Sequence, residues 1–240
     1  MGTFIVPAAE IFFWIVGGPM RYYMDELGYF FATLQNWHEP FILIDAGADI
    51  GTVSMLTHYH CPNLARIIAI EPNPRAFRLL EQNLHELPIP VELVPAALGE
   101  EAGQASLSAD PTRLNDHEGQ IYLSADGETD VLAVDSLLTE PPANLAFKLD
   151  VEGMEVAVLR GASRTIRSAA RVALLLEVHP DVLDCAGQTP EALFEAAESL
   201  RPMVWHVPLL GNRKVDRTTP FLSQLPRRQY DVIGLSVESL

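Results

Sequence analysis

Short apolar runs that alternate with segments of helical periodicity constrain the fold of this chain more than any other feature. From residue 41 onward the runs read FILIDAG, ARIIAIEPN, VELVPAALG, LAFKLD and RVALLLEVH. Such runs, bounded by turn residues, are typical of parallel strands buried on both faces. Helical segments follow most of them, and this alternation predicts a mostly parallel sheet with helices on both faces. We therefore expect a doubly wound α/β fold.

Local signals define two helices and the last two strands. Asn73 is a natural N-cap for the helix PRAFRLLEQNLHEL, whose first position is Pro74. Thr189 is likewise the expected N-cap of the helix in TPEALFEAAESL, with Pro190 at its first position. The apolar stretches MVWHV and YDVIGLS are joined by a polar loop, which predicts an antiparallel pair at the sheet edge. Residues 100–144 are less regular, and GQASLSAD and TDVLAVDSLL are their strand candidates.

The length of 240 residues fits one large domain or two small ones. Its proline-bearing breaks, TEPPAN and GGP, are too short for linkers between independent domains. We expect a single domain over residues 1–240, with an N-terminal cap segment (1–40), a cofactor-binding core (41–180) and a C-terminal helix with edge strands (181–240).

The N-terminal stretch of residues 1–20 is apolar, but Pro7 and Glu10 interrupt it, and its run over residues 11–18 is shorter than the ~20 residues of a membrane helix. We expect it to pack on the domain rather than insert into a membrane; a lid, a dimer face or a membrane contact is the alternative. Homo-oligomerisation is left open. Cytoplasmic location is the default expectation, and the unpaired Cys61 and Cys185 suit a reducing compartment.

The formal net charge of −16 argues against nucleic acid and anionic membranes as partners. Proteins bind a phosphate backbone through Lys and Arg side chains that displace counterions. This chain has 16 basic against 32 acidic residues and no basic stripe. A small-molecule partner is the remaining expectation.

The stretch DAGADIG, here called the glycine turn (residues 45–51), predicts a ligand site where a strand passes into a helix. Gly47 and Gly51 bracket a tight turn in which a ligand can approach the backbone. Asp45 precedes the glycines, unlike the G-x-G-x-x-G of dinucleotide binders, and its carboxylate would repel a pyrophosphate but attract a cationic ligand.

Glu71 extends this site. It ends the next strand and lies 20 residues after Gly51 (71 − 51), where the acid of a nucleotide-binding βαβ unit reaches the ribose hydroxyls. The third strand ends in AALG, and its small side chains, Ala97 among them, leave room for an adenine ring. An adenosine-type ligand is therefore expected.

Charged residues also occupy the ends of the fourth and fifth strands. Lys148, Asp150 and Glu152 share one face of the fourth strand because side chains alternate. Glu177 and His179 share a side of the fifth. One interpretation is an internal ion-pair network in which Lys148 neutralises Asp150. We favour the other, a functional cluster, because perturbed titratable groups gather at active sites.

Glu155 follows this cluster in the sequence. We expect it to lie on the exposed side of its helix, with no part in function.

Six motifs carry a resemblance to a known family: FILIDAGADIG, IIAIEPNP, PAALGEEAG, VLAVDSLL, FKLDVEGMEVAVLRGA and LLLEVH. Their order and spacing over residues 41–179 resemble the FkbM-type methyltransferases. The DVEG block with LRGA is the most specific part. One departure is Asp49, where the family pattern commonly shows Asn.

The resemblance implies a Rossmann-like methyltransferase fold and S-adenosylmethionine as cofactor. It implies methylation of a hydroxyl on a small molecule, a sugar or a natural product. Asp45 would then bind the methionine end of the donor, and Glu71 its ribose. The predicted cofactor contacts are Asp45, Ala46, Gly47, Ala48, Gly51, Glu71, Pro72, Asn73 and Ala97.

Transfer to a hydroxyl requires a base that takes its proton. His179 is the first candidate, Asp150 or Glu152 the second, and Glu177 belongs to the same predicted catalytic set. A divalent metal held by Asp150, Glu177 and His179 is an alternative way to orient the acceptor. A catalytically silent protein that binds S-adenosylmethionine, and less favourably a nicotinamide-dependent oxidoreductase, are the alternative functions.

Overall fold

The computed structural model describes residues 4–6, 24–108, 120–123, 126–225 and 230–237. Of the apolar N-terminal stretch 1–20, only residues 4–6 are described, so the expectation that this stretch packs on the domain concerns mainly residues outside the described ranges. Among the residues that are described, no helix combines the length and apolar character needed to cross a membrane.

A main sheet of eight strands lies at the centre of the protein, in the order β11-β10-β12-β9-β8-β1-β2-β3. Its strands are β1 (Phe41–Ala46), β2 (Leu64–Ile70), β3 (Val91–Val94), β8 (Asn144–Leu149), β9 (Arg171–Val178), β10 (Met203–Val207), β11 (Arg213–Lys214) and β12 (Tyr230–Ser236).

The five strands from β3 to β9 run parallel, which confirms the predicted α/β class. The predicted antiparallel pair is also confirmed, since β12 pairs antiparallel with β10. However, β12 lies inside the sheet, where it also pairs antiparallel with β9. The outermost strand is the two-residue β11, which the sequence pattern did not predict.

A smaller sheet has the order β4-β7-β5-β6. Its strands are β4 (Ala97–Leu98), β5 (Gly103–Ser108), β6 (Gln120–Leu123) and β7 (Thr129–Leu132). The expectation of one continuous third strand through VELVPAALG is wrong: β3 ends at Val94, and β4 belongs to the smaller sheet. Pro95 stands at the break, where it has no N–H to donate to a ladder.

Helices cover both faces of the main sheet. They are α1 (Met24–Gln35), α2 (Thr52–His60), α3 (Pro74–Leu84), α4 (Val134–Leu137), α5 (Glu155–Gly161), α6 (Ser163–Ser168), α7 (Pro180–Cys185) and α8 (Pro190–Leu200). Both predicted N-caps are confirmed: Asn73 accepts a hydrogen bond from the Arg75 N–H (2.9 Å), and Thr189 accepts one from the Ala192 N–H (3.1 Å).

Two apolar cores fix which helices lie on which face. Phe31 of α1 and Leu84 of α3 pack in one core with Ala146 of β8. The next residue of β8, Phe147, points to the other core with Val158 of α5. Because side chains alternate along a strand, β8 contributes to both cores, as expected for a doubly wound sheet.

Asn83 of α3 holds the described N-terminal residues 4–6 against the domain. Its side chain accepts a hydrogen bond from the Ile5 N–H (2.7 Å) and donates to the Ile5 carbonyl (3.0 Å). It also donates to the carbonyl of Ile50 in the glycine turn (2.8 Å). A single buried amide thus fixes the chain beside the predicted ligand site.

Candidate active site

The predicted site residues lie where the strand order of the main sheet reverses. From β1 the chain proceeds through β2 to β3 on one side, and later through β8 to β9 on the other. The crevice beyond the carboxyl ends of such strands is where open α/β sheets bind ligands. The glycine turn follows β1, Glu71 follows β2, and Asp150 follows β8.

Backbone hydrogen bonds hold the glycine turn to β2. The N–H groups of Gly47 and Ala48 both donate to the Ile70 carbonyl, at 3.0 and 2.9 Å, and the Gly51 N–H donates to the Ala48 carbonyl at 2.8 Å. These three amides are engaged within the protein. A ligand at the turn therefore meets carbonyl groups and side chains rather than these N–H groups.

Both glycines of the turn also contact the protein itself. A Cβ on Gly47 would lie 1.8 Å from the Asp150 carbonyl oxygen, and one on Gly51 would lie 2.9 Å from Leu80. Both residues have positive φ, 70° and 90°. The turn therefore requires glycine for its own packing, in addition to any approach of a ligand.

Asp45 is fully buried beneath the turn. Its Oδ2 accepts a hydrogen bond from Ser54 (2.6 Å), and its Oδ1 lies 3.9 Å from the Lys148 ammonium nitrogen. Burial raises the pKa of Asp45, an effect that Lys148 and Ser54 partly offset. The expected contact of Asp45 with the methionine end of the donor stays a prediction.

Glu71 joins the glycine turn to the start of α3. Its Oε2 accepts the N–H of Asp49 (2.9 Å) and its Oε1 accepts the N–H of Asn73 (2.8 Å). Burial raises its pKa to about 7; the Asn73 amide opposes the shift, and the Asp49 charge adds to it. A carboxylate offers about four acceptor positions, so hydroxyl groups can still bind beside these amides.

Lys148 and Asp150 form the ion pair that one interpretation of the sequence predicted. The Lys148 Nζ lies 3.0 Å from the Asp150 Oδ2. Burial by itself would raise the pKa of Asp150, but Lys148 and a hydrogen bond with Glu177 hold it below its ordinary value. Asp150 is therefore a weak base in this arrangement.

The DVEG segment turns sharply between β8 and α5. Glu152 and Gly153 both have positive φ, 51° and 99°. A left-handed conformation costs a residue with a Cβ about 1–2 kcal/mol, and such strained positions are frequent at functional sites. Glu152 is half-buried at the rim of the crevice, which keeps it among the candidates for acceptor contact.

The expectation that Glu155 lies on an exposed helix side is wrong. Glu155 is buried, and its Oε1 accepts the N–H groups of Val151 (3.2 Å) and Gly153 (3.1 Å). Burial raises its pKa. It sits in the first turn of α5, where its carboxyl group folds back and holds the DVEG segment in place.

His179 is the N-cap of α7 rather than an unattached imidazole. Its Nδ1 accepts a hydrogen bond from the Val182 N–H (3.3 Å). A neutral imidazole has one acceptor nitrogen, so this bond assigns the proton to Nε2 and occupies the nitrogen that a base would use. Its role as the first-choice base stays a prediction, and this bond weighs against it.

Sequence reasoning missed two carboxyl groups, Asp231 of β12 and Glu26 of α1. Asp231 lies directly opposite Glu177 in the antiparallel pairing of β12 with β9, and it shares a hydrogen bond with Glu26. Burial and the charges of Glu26 and Asp150 raise the pKa of Asp231 to about 7. The sequence does not show that β12 lies inside the sheet, between β9 and β10. The start of an antiparallel strand lies at the carboxyl ends of its parallel neighbours, and this position brings Asp231 to the site.

Two further expectations concern Ala97 and a metal ion. Ala97 packs with Ala105 and Val131 in the smaller sheet, and its contact with the cofactor stays a prediction. The metal alternative has no support in the described part of the chain, which holds no group of three or more His, Cys, Asp or Glu residues placed to bind a metal ion. Asp150 is paired with Lys148, and the Nδ1 of His179 is occupied by an amide.

The raised pKa of Asp231 predicts a pH-dependent stability. The folded protein keeps a proton that the unfolded chain loses near the ordinary value of 3.8, so stability falls as pH rises from about 4 to about 7 and then levels off. When the pH is raised from about 5 to about 8, we expect the melting temperature of Asp231→Asn to decrease by less than that of the wild type. Thermal unfolding at the two pH values measures the difference.

Asp216→Asn is the matched control, because hydrogen bonds from Thr218 lower the pKa of the exposed Asp216. Asp216 changes the stability of the protein only at acidic pH, below the ordinary pKa of an aspartate. Asp216→Asn should therefore show the same loss of melting temperature between about pH 5 and about pH 8 as the wild type. Glu71 contributes in the same direction as Asp231, and part of the fall should therefore remain in Asp231→Asn. Equal falls in Asp231→Asn and the wild type would contradict the assignment.

Comparison with known proteins places this site in a family. Residues 45–194 match the model of the methyltransferase FkbM domain. The hexuronic acid methyltransferase AglP of Haloferax volcanii is 30% identical over 153 residues, which cover 62% of this chain and 60% of AglP. The crystal structure of methyltransferase FkbM from Methylobacillus flagellatus KT superposes with a TM-score of 0.51 at 18% identity, over 82% of this chain and 43% of that one.

The solved structure supports the fold alone. This chain spans about 60% of the length of AglP and less than half of the solved protein. The family match covers more than half of the present chain and begins at Asp45, the first residue of the glycine turn. The chain therefore belongs to the FkbM methyltransferase domain family.

Proposed function

We propose that this protein is an S-adenosylmethionine-dependent methyltransferase that methylates a hydroxyl group of a sugar or sugar-like small molecule. The observation that carries the proposal is the pair formed by the glycine turn and Glu71 at the point where the strand order reverses. Membership of the FkbM family supports the reaction, and the sugar-acid substrate named for AglP supports the acceptor class.

Each half of the crevice has its own task. S-adenosylmethionine, when bound, supplies a methyl group on a sulfonium centre. On the donor side, Glu71 accepts ribose hydroxyls, while the buried carboxyl group of Asp45 lies beneath the turn, 3.9 Å from the Lys148 ammonium nitrogen. On the acceptor side, the carboxyl groups of Asp150, Glu177 and Asp231 lie across three neighbouring strands. They orient the acceptor hydroxyl, and one of them takes up its proton.

Asp231 is the best-matched base in this arrangement. A general base works best when its pKa lies near the operating pH, and the pKa of Asp231 is raised to about 7. The pKa of Asp150 is lowered instead, and the imidazole of His179 caps a helix. The displacement itself requires alignment of the hydroxyl with the sulfonium more than strong base catalysis.

The charge of the acceptor side favours a neutral sugar over a uronate. Lys148 is matched by Asp45 and Asp150, while Glu26, Glu177 and Asp231 add further carboxyl groups. A substrate carboxylate would be repelled, and such repulsion is strong where the dielectric is low. The acceptor of this chain is therefore expected to differ in charge from the hexuronic acid named for AglP.

Radiolabelled methyl transfer from S-adenosylmethionine to methyl glucoside and methyl glucuronide tests the proposal, since the two acceptors differ only at C6. We expect label in the glucoside and at least roughly tenfold less in the glucuronide, equivalent to about 1.4 kcal/mol. Faster labelling of the glucuronide would overturn the charge argument. Calorimetric binding of S-adenosylhomocysteine without transfer to any of a panel of hydroxyl acceptors would favour a catalytically silent protein, and binding of NAD alone would favour an oxidoreductase.

A further inference from the structure

Lys148 connects the two halves of the crevice. Its ammonium group donates to the Gly47 carbonyl of the glycine turn and lies 3.0 Å from the Asp150 carboxylate and 3.9 Å from that of Asp45. Lys148 is 8% exposed, so these contacts are largely shielded from water. One buried cation therefore binds a backbone group of the donor side and a side chain of the acceptor side.

Backbone contacts run in parallel with this link. The Asp150 N–H donates to the Ala46 carbonyl at the end of β1 (3.2 Å). The Asp150 carbonyl occupies the space where Gly47 would carry a Cβ. The ends of β1 and β8 are thus in direct contact, and any shift of the glycine turn displaces Asp150 as well.

The choice of lysine suits this position. The chain has 16 basic residues but only two lysines, Lys148 and Lys214. A lysine ammonium is a compact point charge with three donors, whereas an arginine presents a wide planar fork. The Gly47 carbonyl and the Asp150 carboxylate accept from this nitrogen, and the Asp45 carboxyl group lies 3.9 Å away, an arrangement that a compact ammonium group can occupy. Burial would lower the pKa of Lys148, but Asp150 and Asp45 raise it, so the group stays protonated and does not act as a base.

We propose that Lys148 is a positioning residue for methyl transfer, which holds the glycine turn and Asp150 in fixed relation so that donor and acceptor meet in line. This inference rests on the proposed function. A structural ion pair that merely neutralises Asp45 would respond little to the donor. A positioning residue responds directly, because the donor binds to the turn whose carbonyl Lys148 holds.

Selective labelling of lysine tests the proposal in the intact protein. With ¹³C at Cε, the wild type gives two lysine signals, and the exposed Lys214 serves as the internal control. We expect S-adenosylhomocysteine to shift the Lys148 signal and leave that of Lys214 in place. Calorimetric binding of S-adenosylhomocysteine with an unmoved Lys148 signal would overturn the inference. Absence of any binding by the wild type would instead refute the proposed function, and the inference with it.

Substitution gives a second test. Lys148→Met should weaken binding of S-adenosylhomocysteine at least tenfold, and Lys148→Arg should not restore it, because the larger fork does not fit the site. Arg201→Met is the control: Arg201 also binds two backbone carbonyls, of Ala169 and Ala170, but far from the crevice. We expect it to lose melting temperature and keep its affinity. Equal affinities in Lys148→Met and Arg201→Met would contradict the proposal, and the labelling experiment decides it even where Lys148→Met does not fold.

Discussion

Replacing Gly47 by alanine is expected to prevent stable folding of the protein. The new Cβ would lie 1.8 Å from the Asp150 carbonyl oxygen, and that oxygen belongs to backbone at the end of a central strand. The φ of 70° adds about 1–2 kcal/mol for any residue with a Cβ. Separating the ends of β1 and β8 costs further free energy, so the total is a large share of the roughly 5–15 kcal/mol that stabilises a typical protein.

Gly187→Ala separates the two contributions. Gly187 has the same φ of 70°, but nothing lies within 4 Å of its Cβ position. Gly187→Ala should therefore lose only the stability that a positive φ costs a residue with a Cβ, equivalent to roughly 2–8 °C in melting temperature. We expect Gly47→Ala to lose at least about 10 °C or to yield no folded protein, as measured by thermal unfolding. If both variants lost the same amount, the close approach of Asp150 would not determine the effect.

Replacing Glu71 by alanine is expected to weaken binding of S-adenosylhomocysteine by roughly a hundredfold. Hydrogen bonds to a charged group contribute about 1.5–3 kcal/mol each, and two ribose hydroxyls lie within reach of one carboxylate in the proposed complex. The substitution also frees the amides of Asp49 and Asn73, so the glycine turn loses one of its links to α3. Isothermal calorimetry measures the loss directly.

Glu92→Ala is the control for Glu71, since it removes an acid from the neighbouring strand β3. Glu92 forms a surface ion pair with Arg66, and such pairs contribute little to stability. Its affinity for S-adenosylhomocysteine should equal that of the wild type. A Glu71→Ala protein that binds within twofold of the wild type would show that the ribose is held elsewhere.

The site combines strained backbone with buried charge, and these features explain each other. Glu152 and Gly153 have positive φ, and Glu155 accepts hydrogen bonds from the N–H groups of Val151 and Gly153. Lys148 and Asp150 face each other just before it. The DVEG segment therefore supports the acceptor side of the crevice. Glu155, which was expected to be exposed, is buried and stabilises the turn that carries Asp150 and Glu152.

The sequence by itself determined the features that depend on neighbours along the chain. Apolar runs predicted the buried strands, Asn73 and Thr189 were correctly predicted as caps, and the positions of the glycine turn and of Glu71 followed from strand ends. These inferences are reliable because periodicity, turn residues and caps act within a few residues. The family resemblance rested on the same local motifs and is confirmed.

Only the tertiary structure decided what depends on distant pairing. The insertion of β12 between β9 and β10 brings Asp231 to Glu177 and Glu26, and packing against the DVEG turn buries Glu155. The pKa of a carboxyl group depends on its burial and on the charges around it, and both are set by segments far apart in the chain. Sequence pattern therefore predicted where the candidate site lies, while the three-dimensional arrangement determined which acids are buried, which are paired with Lys148 and which hold the backbone.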